Sequence, residues 1–440
     1  MAFNKKKSIL NIILIALLIA GVLFFHGNSG DVKADTNEVY KNIEIFTEVL
    51  RQIEDNYVEP QDAQKLIYSA IKGMVQGLDP HSSFMTKEEH QELLSETKGS
   101  FSGVGIEIGI RDNVLTVVSP IEGTPAYKSG IKPGDKIVKI DDESTNDMTL
   151  IDAVKSIRGQ KGSKVKLTIM REGADKPIEF NITRDVIPIK SVRNYLFAPE
   201  IGYIRISNFQ SKTDQELSSA LEKIEKGRKL KGLILDLRNN PGGLLSQAIE
   251  VSDMFIDSGL IVSTKGRRPS QNMQFSAHPI KEKRDYPIIV LVNEGSASAA
   301  EIVAGALQDN KKALILGTKT FGKGSVQTIL PLSDGSGLRL TTSRYYTPSG
   351  RSIQLSGISP DIEMKYIPPT DNEKEKSHFI REKDLKGHMP EETIENEEKD
   401  IAGEDEEVSK KAKMLIEKDN QVRYALQLLQ TWNLFSHTKP

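Results

Sequence analysis

The chain has 440 residues, a formal net charge of −2, 38% hydrophobic residues and 27% charged ones. That length fits two or three domains, and a near-neutral balance lacks the basic field of a nucleic-acid binder. No Cys is present, which excludes thiolate metal sites, disulfides and a Cys nucleophile, and the seven His form no HxxxH or HExxH pattern.

In chain order, Lys5-Lys6-Lys7 come first, followed by an apolar run from Ile9 to Phe25. A basic flank before an apolar stretch is how export signals begin. The run is long for a signal core and at the short limit for a membrane span. Val32-Lys33-Ala34 has the small residues a signal peptidase needs. Residues 1–35 therefore read as a cleaved signal peptide or a retained membrane anchor, with a buried core helix as the lesser alternative. Either export reading puts the body outside the cytoplasm, in the periplasm or cell envelope, and the anchor in the inner membrane.

Residues 36–97 form a helical segment. Ile43, Phe46, Leu50, Ile53 and Tyr57 recur at helical steps, as do Leu66, Ile67, Ile71 and Val75, and Asp79-Pro80-His81-Ser82 is a turn. Residues 98–185 carry short β-like runs between Gly and Pro turns, with two helical pieces at 125–129 and 150–157. Through residues 186–370 strands alternate with helices, which predicts an α/β layer on a mostly parallel sheet. Antiparallel strands follow around the Asp334-Gly335 turn. The 371–411 stretch is rich in Glu, Lys and Asp and reads as a solvated linker. Residues 412–440 regain helical spacing at Leu415, Val422, Leu426, Leu429 and Trp432. That stretch is read as docking on another domain or on a second subunit, and helices at both ends suggest a homodimer.

Two stretches point to peptide recognition. In Phe101-Ser102-Gly103-Val104-Gly105-Ile106, two Gly flank one apolar residue just before a strand. Such a turn aims successive N–H groups into one concavity, fit for a carboxylate, and the strand can pair with an extended peptide. An ordinary Gly-rich turn is the plain alternative. Further on, Ser119–Ala126 leads to Ser129-Gly130-Ile131-Lys132-Pro133-Gly134-Asp135, which is similar to the bacterial PDZ pattern. By that resemblance the amides of Val104, Gly105 and Ile106 bind a C-terminal carboxylate, and the 150–157 helix lines the groove. Arg158, at the end of that helix, is read as a contact for the peptide or the protease body, or as a solvated helix-end charge.

Three turns carry candidate chemistry. Pro287 to Asn293 is a buried strand running into Glu294-Gly295-Ser296-Ala297-Ser298-Ala299-Ala300-Glu301. A Ser at a helix N-terminus meets free N–H groups that stabilise an oxyanion, although a plain N-cap is the commoner job. A nucleophilic Ser needs a base. No His sits in a triad-like motif, and His81 and His278 lie in polar loops. Lys323, between Gly322 and Gly324, becomes a base if burial lowers its pKa; a surface loop Lys is the alternative. Gln327, four residues on, is read as orienting the amine. Asp236-Leu237-Arg238-Asn239-Asn240-Pro241-Gly242-Gly243 is a sharp turn whose amides can face a carbonyl.

These three segments, in this order, resemble the tail-specific or C-terminal processing family of serine peptidases. So do Leu338–Thr342, Tyr346–Gln354 and Gly357–Asp361. The resemblance implies a multidomain α/β protein, with a crotonase-like α/β peptidase core, a PDZ domain and flanking helical segments. It implies Ser298 as nucleophile, Lys323 as general base and Gln327 as its orienting partner. The Ala299 amide and one from Gly242 or Gly243 would form the oxyanion hole, with no metal and no cofactor. Substrates would be proteins or peptides with apolar C-termini, and a protein activator is an expected partner. A PDZ scaffold on a dead peptidase body and a different hydrolase are the competing readings.

Overall fold

The computed structural model describes residues 36–368 and 406–436, apart from 112–113, 147, 198–199 and 281–282. The signal-or-anchor reading of residues 1–35 and most of the acidic 371–411 stretch lie outside the described residues. Among the described residues no helix is long and apolar enough to cross a membrane.

The chain divides into two units after Gly77. The first holds helices α1 (Thr36–Asn56) and α2 (Ala63–Gln76). Asp62 caps α2 by accepting from Gln64 N at 2.8 Å. On α1 the apolar residues Val39, Tyr40, Ile43, Phe46 and Val49 are exposed.

The second unit opens on the predicted 79–82 turn and then delivers a strand inside the 36–97 helical segment. Pro80 cannot continue a helical ladder. The Asp79 carboxylate takes the amides of His81 at 2.7 Å and Ser82 at 2.9 Å, closing a turn. Strand β1 (Ser83–Met85) then pairs antiparallel with residues 337–339. Helix α3 (Lys87–Thr97) follows, with a Thr86–Glu89 capping box, and its His90 ring meets Gly335 O at 3.1 Å. These bonds correct the 36–97 helical segment: residues from Leu78 onward are in the same unit as the body that follows.

Strand β2 (Ser100–Gly103) leads into a small β domain of β3 (Ile106–Arg111), β4 (Val114–Pro120), β5 (Lys136–Ile140), β6 (Glu143–Ser144), β7 (Lys164–Met170) and β8 (Ile178–Thr183). Helices α4 (Pro125–Lys128) and α5 (Leu150–Ile157) pack on it around Val117, Ile137, Leu167 and Ile169, all fully buried. Strand β9 (Asp185–Pro188) returns to pair with β2, closing the domain at its entry and exit.

The larger domain is built on a six-stranded sheet in the order β10 (Val192–Phe197), β11 (Ile201–Ile206), β12 (Gly232–Asp236), β15 (Ile288–Val292), β16 (Leu314–Gly317) and β19 (Ile362–Glu363). Only the β10–β11 pair is antiparallel. Both β12 and β15 are buried along their whole length, as unbroken apolar runs in a covered parallel sheet should be. Helices α6 (Thr213–Glu225), α7 (Leu245–Asp253) and α8 (Ala299–Asp309) cover one face. A second sheet joins β13 (Leu260–Gly266), β14 (Met273–Ser276), the hairpin β17 (Ser325–Pro331) and β18 (Gly337–Tyr346), and β1.

The other face of the main sheet is covered by the C-terminal stretch, which is two helices rather than one. Helix α9 (Glu406–Lys418) and helix α10 (Asn420–Ser436) break at Asp419. Val422, Ala425, Leu426 and Leu429 are buried against Ile234, Ile289 and Leu316. Each such aliphatic burial is worth about 1.5–3 kcal/mol, enough together to hold the pair in place. The apolar stripe predicted as a dimer contact is therefore consumed largely by the chain's own sheet, while Trp432 stays 61% exposed.

Candidate active site

The strand β15 ends in a turn of small residues held by hydrogen bonds from the side chains of Asn293, Asn239 and Ser296. Asn293 Oδ1 takes the amides of Asn239 at 2.8 Å and Gly295 at 3.1 Å, and Asn293 Nδ2 donates back to Asn239 Oδ1 at 2.9 Å. Ser296 donates its hydroxyl to Leu237 O at 2.8 Å and accepts from Asn293 N at 3.0 Å. Of the two serines, Ser296 is thus the structural one. Ser298 sits at φ 54°, ψ −113°, a region costly for a non-Gly residue and one that clusters at functional sites. It occupies the N-cap position of α8, in a capping-box arrangement with Glu301.

The cap is supplied by Glu301, a residue sequence reasoning did not single out. Its carboxylate is fully buried in the first turn of α8. Oε2 accepts from Ser298 N at 2.8 Å and from Lys323 N at 2.9 Å. Oε1 accepts from Thr320 Oγ1 at 2.6 Å and Gly322 N at 2.7 Å. One side chain therefore ties the serine turn to the lysine turn, and Phe321 N to Ser296 O at 3.0 Å adds a direct link. The only sequence signal was an acid at the third position of a helix, which reads as an ordinary cap.

Lys323 is partly buried on the turn that enters β17. Burial pushes its amine below the usual lysine range; the nearby Arg339 guanidinium pushes the same way, and Asp79 opposes both. The Asp79 carboxyl is raised by burial, but hydrogen bonds led by the one from Ser82 outweigh that and hold it below the usual range. His81 is lowered by burial and then by Lys323 itself. So the Asp79–Ser82 turn, read from sequence only as a turn, stands beside the lysine, whereas His278 is bonded to Asp253 on the surface. Gln327 donates to Ser325 Oγ at 2.8 Å and, at 3.5 Å, to Thr341 Oγ1. This departs from the expected bond to the lysine amine: a register shift between Val326 and Gln327 in the hairpin turns the amide toward β18.

The third turn packs on the first. Ala297 N donates to Asn240 O at 2.9 Å, and Phe209 N to Gly242 O at 2.9 Å. Gly242 has φ 102°, and a Cβ there would lie 2.8 Å from Ser298 Cβ and 2.8 Å from Ala297 O. Only glycine lets the chain pass so close to the serine. The Gly242 amide already donates to Asn240 Oδ1 at 2.9 Å.

In the small domain, a groove of about 200 Å³ runs between β3 and α5, lined by Ile106, Ile108, Leu150, Val154 and Ile157. The loop at its end is fixed by Ala126 N to Val104 O at 2.9 Å and Ile121 N to Gly105 O at 2.9 Å. Gly105 has φ 79°, and a Cβ would come within 2.4 Å of Thr124 Cβ. Arg158 lines the groove mouth but is engaged, at 3.3 Å from Glu92 and 3.1 Å from Glu96, with its guanidinium 5.0 Å from the Phe101 ring centre.

Comparison with known proteins agrees with these parts in order. Residues 26–89 match the activating protease CtpB N-terminal domain, residues 92–170 the PDZ domain and residues 200–364 peptidase family S41. A carboxy-terminal-processing protease of Bartonella bacilliformis is 48% identical over 355 residues, covering 80% of this chain and 81% of its own. The carboxy-terminal processing protease CtpA of Bacillus subtilis is 39% identical over 369 residues, covering 82% and 78%. Among solved structures, a photosystem II D1 C-terminal processing protease is 33% identical, covering 73% of this chain and 92% of its own, with a TM-score of 0.44. With identity at this level held over most of both chains, this protein belongs to the carboxy-terminal processing serine proteases of peptidase family S41 and carries a PDZ domain ahead of its peptidase core.

Proposed function

We propose that the protein is an exported endopeptidase that selects protein substrates by their apolar C-terminal tails and cuts them through a Ser298–Lys323 acyl-enzyme mechanism. The observation that carries this reading is the sharing of one Glu301 oxygen by the amides of Ser298 and Lys323. It brings a strained serine up to a lysine whose charge is disfavoured.

In this reaction neutral Lys323 takes the proton as Ser298 Oγ attacks the scissile carbonyl carbon. The oxyanion is met by the Ala299 amide at the start of α8 and by Gly243, because the Gly242 amide is already occupied by Asn240. Collapse breaks the C–N bond, and the lysine ammonium gives its proton to the leaving amine. Water, deprotonated by the same lysine, then releases the acyl group. Gln327 acts on the amine only indirectly, through Ser325 and Thr341.

The tail's carboxylate is held by the amides of Val104, Gly105 and Ile106, and its apolar side chains lie against Leu150 and Val154. Tail binding is coupled to cutting, and a protein activator acts on the same coupling. The N-terminal segment directs the body out of the cytoplasm. A phosphatase fused at residue 36 tests this; it is active only if residues 1–35 export it.

The chemistry is tested by incubating the purified protein with an unfolded substrate ending in apolar residues, beside Ser298→Ala and Lys323→Ala, with products read by mass spectrometry. Cutting by the parent and by neither variant is the expected result. Tail binding without cutting returns the scaffold reading, and cutting by Lys323→Ala removes the lysine from the mechanism.

A further inference from the structure

The C-terminal helix pair is more than a cover for the sheet. Arg238, in the turn that packs on Ser298, is 6% exposed, with four side-chain hydrogen bonds and one further ion-pair contact. Nε meets Asp236 Oδ1 at 2.9 Å and Nη2 meets Asp236 Oδ2 at 2.6 Å. The remaining bonds go to a segment some 180 residues away in sequence: Nη1 to Asp419 Oδ1 at 3.1 Å and to Gln421 Oε1 at 2.7 Å, and Nη2 to Asp419 Oδ2 at 2.8 Å. Asp419 Oδ1 also caps α10, taking Gln421 N at 3.0 Å and Val422 N at 3.1 Å. Gln421 Nε2 in turn holds Met364 O at 2.6 Å, at the end of the sheet. Asp236, fully buried, is pushed up by burial, but Arg238 outweighs this and keeps it ionised; Arg205 at 3.2 Å and the Tyr203 hydroxyl at 2.7 Å complete its shell.

We infer that Asp419 is a positioning residue of the active site: by gripping Arg238 from the start of α10 it fixes the 236–243 turn against Ser298, so the helix pair sets the geometry of carbonyl capture. This rests on the proposed Ser–Lys reading for its effect on rate, but the clamp itself is a matter of geometry. Arg238 lies four residues before Gly242, where an added Cβ would lie 2.8 Å from Ser298 Cβ. Losing one carboxylate leaves the guanidinium with donors aimed at nothing, at the base of a turn whose Asn239, Pro241 and Gly243 are exposed. A displacement there of about 1 Å is enough to cost roughly a hundredfold in rate without altering how the tail is bound.

The test compares Asp419→Asn with Leu429→Ala in the full chain, at a temperature where both are folded by circular dichroism. Leu429 is buried in the same interface, ten residues further along the chain than Asp419. Two quantities are read: kcat and KM on an unfolded tailed substrate, and hydrogen exchange of residues 237–244. Asp419→Asn should lower kcat about ten- to a hundredfold at unchanged KM and speed exchange of the turn, while Leu429→Ala lowers the melting temperature and leaves both readouts near the parent. Equal effects of the two variants, or a turn and kcat unmoved by Asp419→Asn, overturn the clamp. A parent that fails to cut while Asp419→Asn still loosens the turn sinks the peptidase reading and leaves the clamp standing.

Discussion

The serine turn and the lysine turn meet on one carboxylate, yet they are made ready in different ways. The serine is set by backbone: a positive φ, an amide bound to Glu301, and a lattice of Asn239, Asn240, Asn293 and Ser296 around it. The lysine has its backbone pinned to the same Glu301, but its amine is governed by charge and burial, with Arg339, Asp79 and His81 around it. Changes near the serine should therefore act through geometry, on kcat at every pH. Changes near the lysine should act through protonation, on the position of the pH profile.

The sharpest break in that comparison comes from removing either reacting group. Ser298→Ala or Lys323→Ala should each lower kcat/KM by at least about a thousandfold. Next is Glu301→Gln, which turns donors toward some of the four groups that now donate to it. We expect loss of about a hundredfold in kcat and of about 3 kcal/mol in stability, read by denaturant unfolding. Gly242→Ala acts on the serine turn alone: a Cβ 2.8 Å from Ser298 should cost roughly a hundredfold in kcat with no movement of the pH profile.

The lysine side is tested by a pair with opposite signs. Arg339→Met removes a cation, so the lysine pKa rises and the acid limb of kcat/KM moves to higher pH. Asp79→Asn removes an anion, so the limb moves to lower pH. Glu301 also faces this turn and His81 stands beside it, so the shifts are measured with both left intact. Movement of both limbs in one direction would contradict the electrostatic account. The smallest effect expected is from Gly105→Ala, whose Cβ meets Thr124 at 2.4 Å; it should raise KM about tenfold for tailed substrates and leave kcat alone.

The alternation of strands and helices and the three turn motifs were legible because each is local: an apolar run, then small or Gly residues at fixed spacing. Gly105 and Gly242 could be read as turn glycines whose neighbouring amides face a ligand, although not as the close approaches to Thr124 and Ser298 that they make. What escaped was what depends on distant partners. Asp79 and Arg339 reach Lys323 only because β1 pairs with β18, and no local pattern announced that strand inside a helical stretch. Glu301 looked like a cap, and it is one, but its second oxygen serves a turn about 20 residues away. The terminal helices carried the same apolar periodicity. One pair is buried on the main sheet through Val422 and Leu429, whereas α1 leaves Ile43 and Phe46 exposed. Periodicity reports an apolar stripe but not what covers it.

The most direct test of the central claim is the pH dependence of Ser298 modification by a fluorophosphonate, measured in single turnover for the parent and for Lys323→Ala. The account predicts an acid limb below the ordinary lysine range in the parent, and in the variant a rate lower by about a thousandfold with that limb gone. A limb that persists unchanged in Lys323→Ala would contradict it and transfer the role of base to His81.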